Sequence, residues 1–367
     1  METNNTTAKI IFYPVGNGDT TQIITTSNER IIIDFNYVAP EKGNFDLSKE
    51  IKKDLDGKTE VEVFMVTHMD NDHMCGFSDF FELEYAQKYQ GNDRVKIKEL
   101  WVPAAVILET GEEIDGEKAI LRAEARHRLQ EGKGIKIFSK PEDLKDYLLK
   151  NNIPSRSDLF VSAGQSLTMF QNLTIFCHTP FYDDTDKNHI ERNKCSIITH
   201  YTFNAGGKQI KYLHIGDTEY PNIERLVKKS EHETLEWDIF NIPHHCSYKA
   251  LSNEKMGEGG KTEPTPLVKK LLLSGRTGAY MISSSNPIEN TDQDQPPHIE
   301  AKRCYEDYLA KINGSQLLVT MEYPNKNNPE PIILEIGSKG TKLKLKEMPD
   351  FPKRPTLITG YEDTRYA

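Results

Sequence analysis

Short β-forming runs that end in acids or imidazoles recur along this chain, and they restrict its fold more than any other feature. The run "VEVFMV" (61–66) leads straight into "THMDNDH" (67–73), which places His68, Asp70, Asp72 and His73 within six residues. "RIIID" closes on Asp34, "LTIFCH" on His178, "YLHIGD" on Asp217 and "DIFNIPHH" on His244 and His245. Runs of this length rich in Ile, Val and Phe read as strands. A strand end is a rigid place to mount a reactive side chain, while the loop beyond it is free to vary. Two carboxylates and two imidazoles crowded into six residues repel or compete for protons unless a cation lies between them. The pattern therefore predicts a metal site along one edge of a sheet assembly.

The order of the runs suggests which assembly. "KIIFYPVGNGDTTQIIT" (9–25) and "RIIIDFN" (30–36) read as a hairpin, with a Gly16-Asn17-Gly18 kink inside its first half. Asp19 is read as stabilising that kinked loop close beneath the site. A helix near 46–54, the strand 61–66, a helix near 78–89 and a strand 96–103 follow. Residues 108–152 carry dense charge at helical spacing and read as solvated helices on the flank, an insertion rather than a second domain. Strands are then expected over 164–180, 195–203, 208–220, 237–247 and 278–286, with helices at 220–230 and 298–312 and strands at 315–323 and 330–346. Hairpins followed by strand–helix alternation predict two mixed sheets covered by helices, a four-layer αββα sandwich of the α/β (α+β) class. One domain over 1–347 with a C-terminal extension at 348–367 is the economical division.

Composition limits the partners. The 367 residues are 37% hydrophobic and 28% charged, with no apolar run long enough to span a bilayer and no leader-like start. No membrane partner and a cytoplasmic location are the expectations. Five cysteines, an odd number without CxxC spacing, argue against a disulfide framework or a zinc knuckle. Cys75, Cys177 and Cys246 lie beside the polar strand ends and stand as alternative ligands. A net charge of -10 counts against a large nucleic-acid footprint. Arg122, Arg126 and Arg128 in the insertion are read either as a solvated helix face or as a hold on a polyanion.

"THMDNDHMCGF" resembles the HxHxDH signature of the metallo-β-lactamase-fold hydrolases, with Asp70 in place of the middle histidine. This HxDxDH form is similar to the metallo-β-lactamase domain of the ComEC-type competence proteins. "YPVGNGDTTQIIT", "RIIIDFN", "YLHIGDTE", "NIPHHCS" and "SSSNPIENTDQDQPPH" resemble further segments of that family in the same order, so the resemblance runs from about residue 9 to about 340. It implies two divalent metal ions. His68, Asp70 and either His178 or Asn193 would hold the first. Asp72, His73 and either His244 or His245 would hold the second, with Asp217 between the two ions. Asp34 would orient a ligand histidine without touching metal. Asp70 adds a hard oxygen donor, which tilts preference from zinc toward manganese or magnesium.

The activity implied is water activation against a phosphodiester, as in a nuclease. Asp72 would help to assemble the nucleophile, and His245 or His298 would protonate the leaving oxygen; His298 is equally readable as a cap on the helix it opens. The alternatives are hydrolysis of a small cyclic nucleotide, lactone or thioester, and a non-catalytic, metal-stabilised binding module. Nucleic acid or another phosphodiester is the partner implied, and the oligomeric state has no signature in the residues.

Overall fold

The computed structural model describes residues 7–37, 45–91, 93–111, 113–185 and 190–345. Among them ten strands form one sheet and seven a second. The first sheet contains β1 (Ala8–Phe12), β2 (Thr21–Ile24), β3 (Arg30–Ile33), β4 (Glu60–Met65), β5 (Phe81–Glu82), β6 (Val95–Pro103), β7 (Ile135–Phe138) and β8 (Phe160–Val161). The second contains β9 (Ser166–Phe170), β10 (Leu173–Thr179), β11 (Ile198–Ala205), β12 (Lys208–His214), β13 (Trp237–Asn241), β14 (Gly275–Ser283) and β15 (Gln316–Val319). The chain then returns to the first sheet with the hairpin β16 (Ile332–Gly337) and β17 (Gly340–Leu343).

The first sheet runs β17-β16-β1-β2-β3-β4-β6-β7-β8, with β5 paired to β6. It is antiparallel as far as β3 and parallel from β3 through β8. The second sheet, β15-β14-β13-β12-β11-β10-β9, is parallel from β12 to β15 and antiparallel on the other side.

Alternation decides which residues meet between the sheets. Ile23, Ile31, Ile33, Val63 and Met65 face Ile175, Tyr201, Tyr212 and Ile239 in one buried layer. The opposite face of the first sheet packs on α1 (Leu47–Asp54), α2 (Phe77–Phe80), α3 (Ala104–Leu108), α4 (Gly116–Glu131) and α5 (Glu142–Lys150). The outer face of the second sheet packs on α6 (Tyr220–Lys229), α7 (His232–Leu235), α8 (Pro266–Leu272) and α9 (Ile299–Lys311). Helix, sheet, sheet, helix is the layering expected. No helix among the described residues is long and apolar enough to cross a membrane.

Two segments differ from expectation. The helix near 78–89 stops at Phe80, because Phe81 pairs with Val95 as part of β5. The chain beyond it bends at Glu84 and Tyr85, whose amides donate to the buried Glu124 carboxylate at 3.1 and 2.9 Å, and regains a single 3-10 turn at Gln87–Tyr89. The charged stretch 108–152 is not purely helical: Ile135–Phe138 forms β7 inside the first sheet, parallel to β6. Its arginines are not a polyanion grip either. Arg128 is 1% exposed, pairs with Glu124 at 2.6 Å and donates to the carbonyls of Ile97 and Gly134. Arg126 and Arg122 donate to the carbonyls of Ile107 and Glu109. Arg128 thus ties α4 to the sheet, and Arg122 and Arg126 tie it to the end of α3. The extension at 348–367 lies outside the described residues.

Candidate metal centre

The polar strand ends gather at the carboxyl ends of β3, β4, β12 and β13, the edge where α/β sheets form ligand crevices. Asp34 follows β3 with φ 55°, in the left-handed region that Asp tolerates better than most residues. Its amide continues the β4 ladder to Met65 O, which turns its carboxylate onto the next loop. One oxygen accepts from Thr67 N at 2.7 Å; the other accepts from the Thr67 hydroxyl and from His73 Nδ1, each at 2.7 Å. The Thr67 oxygen in turn lies 3.0 Å from His68 Nδ1. Because the Thr67 proton is committed to Asp34, His68 is the donor in that pair. Asp34 thus fixes an Nδ1 proton on both His68 and His73 and turns each Nε2 inward; neither Nε2 has a hydrogen-bond partner.

His245 reaches the same point from the second sheet. His244, His245 and Cys246 are three successive left-handed residues, with φ 51°, 50° and 66°; each costs on the order of 1 kcal/mol in a non-glycine residue. This turn directs His245 Nδ1 onto Ser284 O at 2.7 Å and aims Nε2 at Asp72 and Asp217, at 3.1 and 3.2 Å. His73 Nε2 lies 3.4 Å from Asp217 and 3.8 Å from Asp72. Donor atoms of Asp72, His73, Asp217 and His245 all fall within 4.8 Å of one another. His68 Nε2 and an Asp70 oxygen, 3.5 Å apart, stand beside this group, and the His68 and His73 rings are 4.1 Å centre to centre.

The electrostatics show what the cluster lacks. Burial works against charge on His73 and His245, yet the carboxylates around them, Asp217 foremost, raise both imidazoles well above their ordinary value. Burial likewise disfavours the Asp217 carboxylate, but His245 and His73 hold it well below the usual carboxylate range. Asp72 is lowered in the same way, chiefly by His245 against its own desolvation. Among the described residues, the cations set against Asp72 and Asp217 are protons on His73 and His245. A divalent ion would replace them with all donors already aimed, so the residues fit a metal, and the bare donors His68 Nε2, His73 Nε2 and Asp217 Oδ1 are those that would hold it.

The first loop supports the floor. Asp19 N donates to Asp72 O at 3.2 Å, and a Cβ on Gly18 would stand 2.7 Å from that same carbonyl. Only glycine lets the kinked strand pass so close beneath the His/Asp loop.

Several expected residues fall elsewhere. His178 is not a ligand: its Nδ1 lies 2.9 Å from Ser230 Oγ and its Nε2 donates to Thr234 O at 3.1 Å. Both nitrogens are thus spent pinning β10 to the α6–α7 connection. His244 lies outside the four-donor group, and His245, expected as its alternative or as a proton donor, lies inside. His298 is a buried ring packed against Tyr248, 4.9 Å centre to centre, whose amide donates to Cys246 O; it is behind the ligand turn rather than in it. Asn193 lines a cleft of about 820 Å³ beside Asp70. Cys177 and Cys246 are buried with thiols pushed up by desolvation, and neither they nor Cys75 belong to the ligand group.

Arg192 was missed. It donates to Asp70 at 3.1 Å and to Glu109 at 2.6 Å, so a guanidinium braces the one acid that departs from the all-histidine pattern. Burial opposes ionisation of Asp70, but His68 and Arg192 outweigh it and hold the carboxyl low.

No protein-family model and no curated protein sequence matches the chain. Solved structures similar to it include unliganded yeast PDE1, with a TM-score of 0.43, 10% identity and coverage of 86% of this chain and 97% of that one. The metallo-β-lactamase GOB-18 from Elizabethkingia meningoseptica gives 0.33 at 14% identity, covering 82% and 88%. A diphosphatase from the PhnP family gives 0.30 at 9% identity, covering 85% and 87%. None of the three reaches a TM-score of 0.5, so what the centre does is argued from its own geometry.

Proposed function

We propose that this chain is a metal-dependent hydrolase of the metallo-β-lactamase type, related to the ComEC-like HxDxDH branch, and that it cleaves phosphodiesters. The observation that carries the reading is the convergence of His73 Nε2, His245 Nε2, Asp72 and Asp217 within 4.8 Å, beside the His68–Asp70 pair. Asp72, His73, Asp217 and His245 would hold one divalent ion, and His68, Asp70 and Asp217 a second. Three carboxylates among six ligands favour manganese or magnesium over zinc.

When bound, such ions supply a nucleophile from water at neutral pH and offset charge on the phosphoryl oxygens. The chain's own residues prepare for this. Asp34 and Ser284 O hold the Nδ1 protons of His73 and His245, which fixes both rings. Arg192 holds Asp70 in place against the pull of a neighbouring ion. His244 adjoins the cluster and has a buried Nδ1 with no protein partner, and burial pushes its imidazole below the ordinary value. It is an imidazole suited to accept the proton of the attacking water.

Substrate size is the finer choice, between a nucleic-acid strand and a small diester. The small diester is favoured by one observation: arginines near the cleft are already paired. Arg192 is held by Asp70 and Glu109, and Arg225 by Asp183 and Asp184.

Metal-stripped protein resupplied with manganese, magnesium or zinc should hydrolyse bis-p-nitrophenyl phosphate, fastest with manganese. Asp72→Ala should fold normally and show no turnover. Hydrolysis retained by that variant removes the assignment, and a protein that binds no divalent ion removes the reading as a whole.

A further inference from the structure

His214 occupies an unexpected position. On β12 the side chains of Ile210, Tyr212 and His214 alternate toward the space between the two sheets, where Ile210 and Tyr212 belong to the apolar layer. His214 is fully buried, and neither ring nitrogen has a hydrogen-bond partner within the protein. A histidine can be neutral on one nitrogen only by donating from the other, so a buried ring with two bare nitrogens is short of both a donor and an acceptor.

The shortage is shared by its neighbours. Thr199 lies directly across the ladder from His214, and Tyr201 across from Tyr212. The parallel register that sets Tyr212 beside Ile239 brings Asn241 beside His214. From the facing sheet Thr21 enters on the same side as Ile23. The Tyr201 hydroxyl has the Thr199 hydroxyl as its neighbour and the Tyr212 hydroxyl that of Thr21, but both amide atoms of Asn241, like both nitrogens of His214, are buried without a protein partner. Isolated bare atoms of this kind occur in any protein; four of them side by side form a polar stratum that calls for an explanation. Buried polar groups that lack protein partners are as a rule satisfied by ordered water.

The stratum borders the floor of the metal centre. Asp19, Asp34, His73 and Asp217 are the charged groups whose fields reach His214. Asp19, Asp34 and His73 have ligand atoms within 4.8 Å of one another. Asp34 is saturated by Thr67 and His73, whereas Asp19 Oδ1 is buried and bare. Two buried carboxylates this close behind one imidazole need a donor between them and the interior.

We propose that His214 anchors an ordered water network between the sheets that hydrogen-bonds Asp19 and, through it, holds the Asp34–His73 pair and the Asp72 backbone in metal-binding geometry. His214 is a positioning residue in this scheme. It touches neither ion nor substrate and acts through Asp19, whose amide already holds the Asp72 carbonyl. The inference rests on the metal-centre reading, and its test is a binding measurement independent of turnover.

Manganese binding to metal-stripped, full-length protein should be measured by calorimetry for the wild type, His214→Leu and His214→Gln. Leucine suits the surrounding apolar layer and drives the water out, so His214→Leu should keep its melting temperature and bind manganese about 10–100-fold more weakly, as loss of groups supporting ligands does. Glutamine restores one donor and one acceptor and should bind within about threefold of wild type. Equal affinity in wild type and His214→Leu overturns the proposal, as does a loss in His214→Gln as large as in His214→Leu. If the leucine variant fails to fold, a loss of more than about threefold in His214→Gln overturns the proposal, and otherwise the ordered water decides. In a high-resolution crystal structure of the manganese-loaded protein, water should lie about 2.7–3.2 Å from a His214 ring nitrogen; none there also overturns it. Failure of the wild type to bind manganese sinks the metal-centre reading itself, a different outcome from unchanged binding in the variants.

Discussion

At the centre, three imidazoles give up their Nδ1 protons to the chain, to Thr67, Asp34 and Ser284 respectively, and all three turn Nε2 inward. That division of labour separates His245 from its neighbour. His245→Ala removes one of four converging donors and should lower manganese affinity by more than about tenfold. His244→Ala removes none of them; it should leave metal content unchanged while lowering kcat by about 10²–10⁴, the range of a lost general base. Metal content by plasma emission and steady-state kinetics on the two variants check this pair, and equal metal loss in both sinks the assignment. The four candidate ligands in 68–73 were legible as a cluster because their spacing is local. Choosing between His244 and His245 was not, because it depends on three consecutive left-handed residues and on a carbonyl 39 positions away. Arg192 had no local signature at all: its bond to Asp70 spans 122 positions.

At the scale of elements, His178 shows how a strand-end histidine serves structure. It links β10 to Ser230 and Thr234 and packs edge-on near His200, with ring centres 6.1 Å apart. Desolvation pushes His178 down to about 3, and His200 to about 4. The folded protein therefore refuses protons that the unfolded chain accepts. A depressed pKa contributes stability in full above the unfolded value of about 6.5, and that contribution drains away as pH falls toward the folded values. For His178 the loss is on the order of a few kcal/mol. His178→Gln offers one acceptor and one donor without a titrating ring. Its stability by urea denaturation should fall less between pH 7 and pH 4.5 than that of the wild type, and an identical decline in both would refute the role. Most strands were legible because their Ile- and Val-rich runs are uninterrupted. The false helix near 78–89 arose because its apolar spacing is helical, while Phe81 and the amides of Glu84 and Tyr85 are claimed by a distant strand and by Glu124. The strand at Ile135–Phe138 was hidden between two charged helices, where only its position beside β6 reveals it.

Across the whole molecule, charge and placement bear on the substrate. The chain carries a net charge of -10, and Arg122, Arg126 and Arg128 of α4 are spent on carbonyls of α3, its C-terminal residue and β6. The cleft beside Asp70 brings Glu109, Glu113 and Glu219 together with Arg192 and Arg225, and both of those arginines are already paired with acids. A polymer tracked through six to ten phosphates loses about 10³–10⁵ in affinity between 50 and 200 mM salt, because each contact releases counterions. A small diester reacting at a shielded metal centre depends on few exposed charges, and its kcat/KM should change by less than about threefold over that range. Cleavage of a cyclic or linear dinucleotide should therefore persist at 200 mM salt, and at low salt it should exceed cleavage of single-stranded DNA per phosphodiester bond. Running both substrates with manganese at each salt concentration decides the matter. DNA cleavage that is faster at 50 mM and collapses at 200 mM would show that a basic track forms despite the pairing, and would return the nuclease reading to first place.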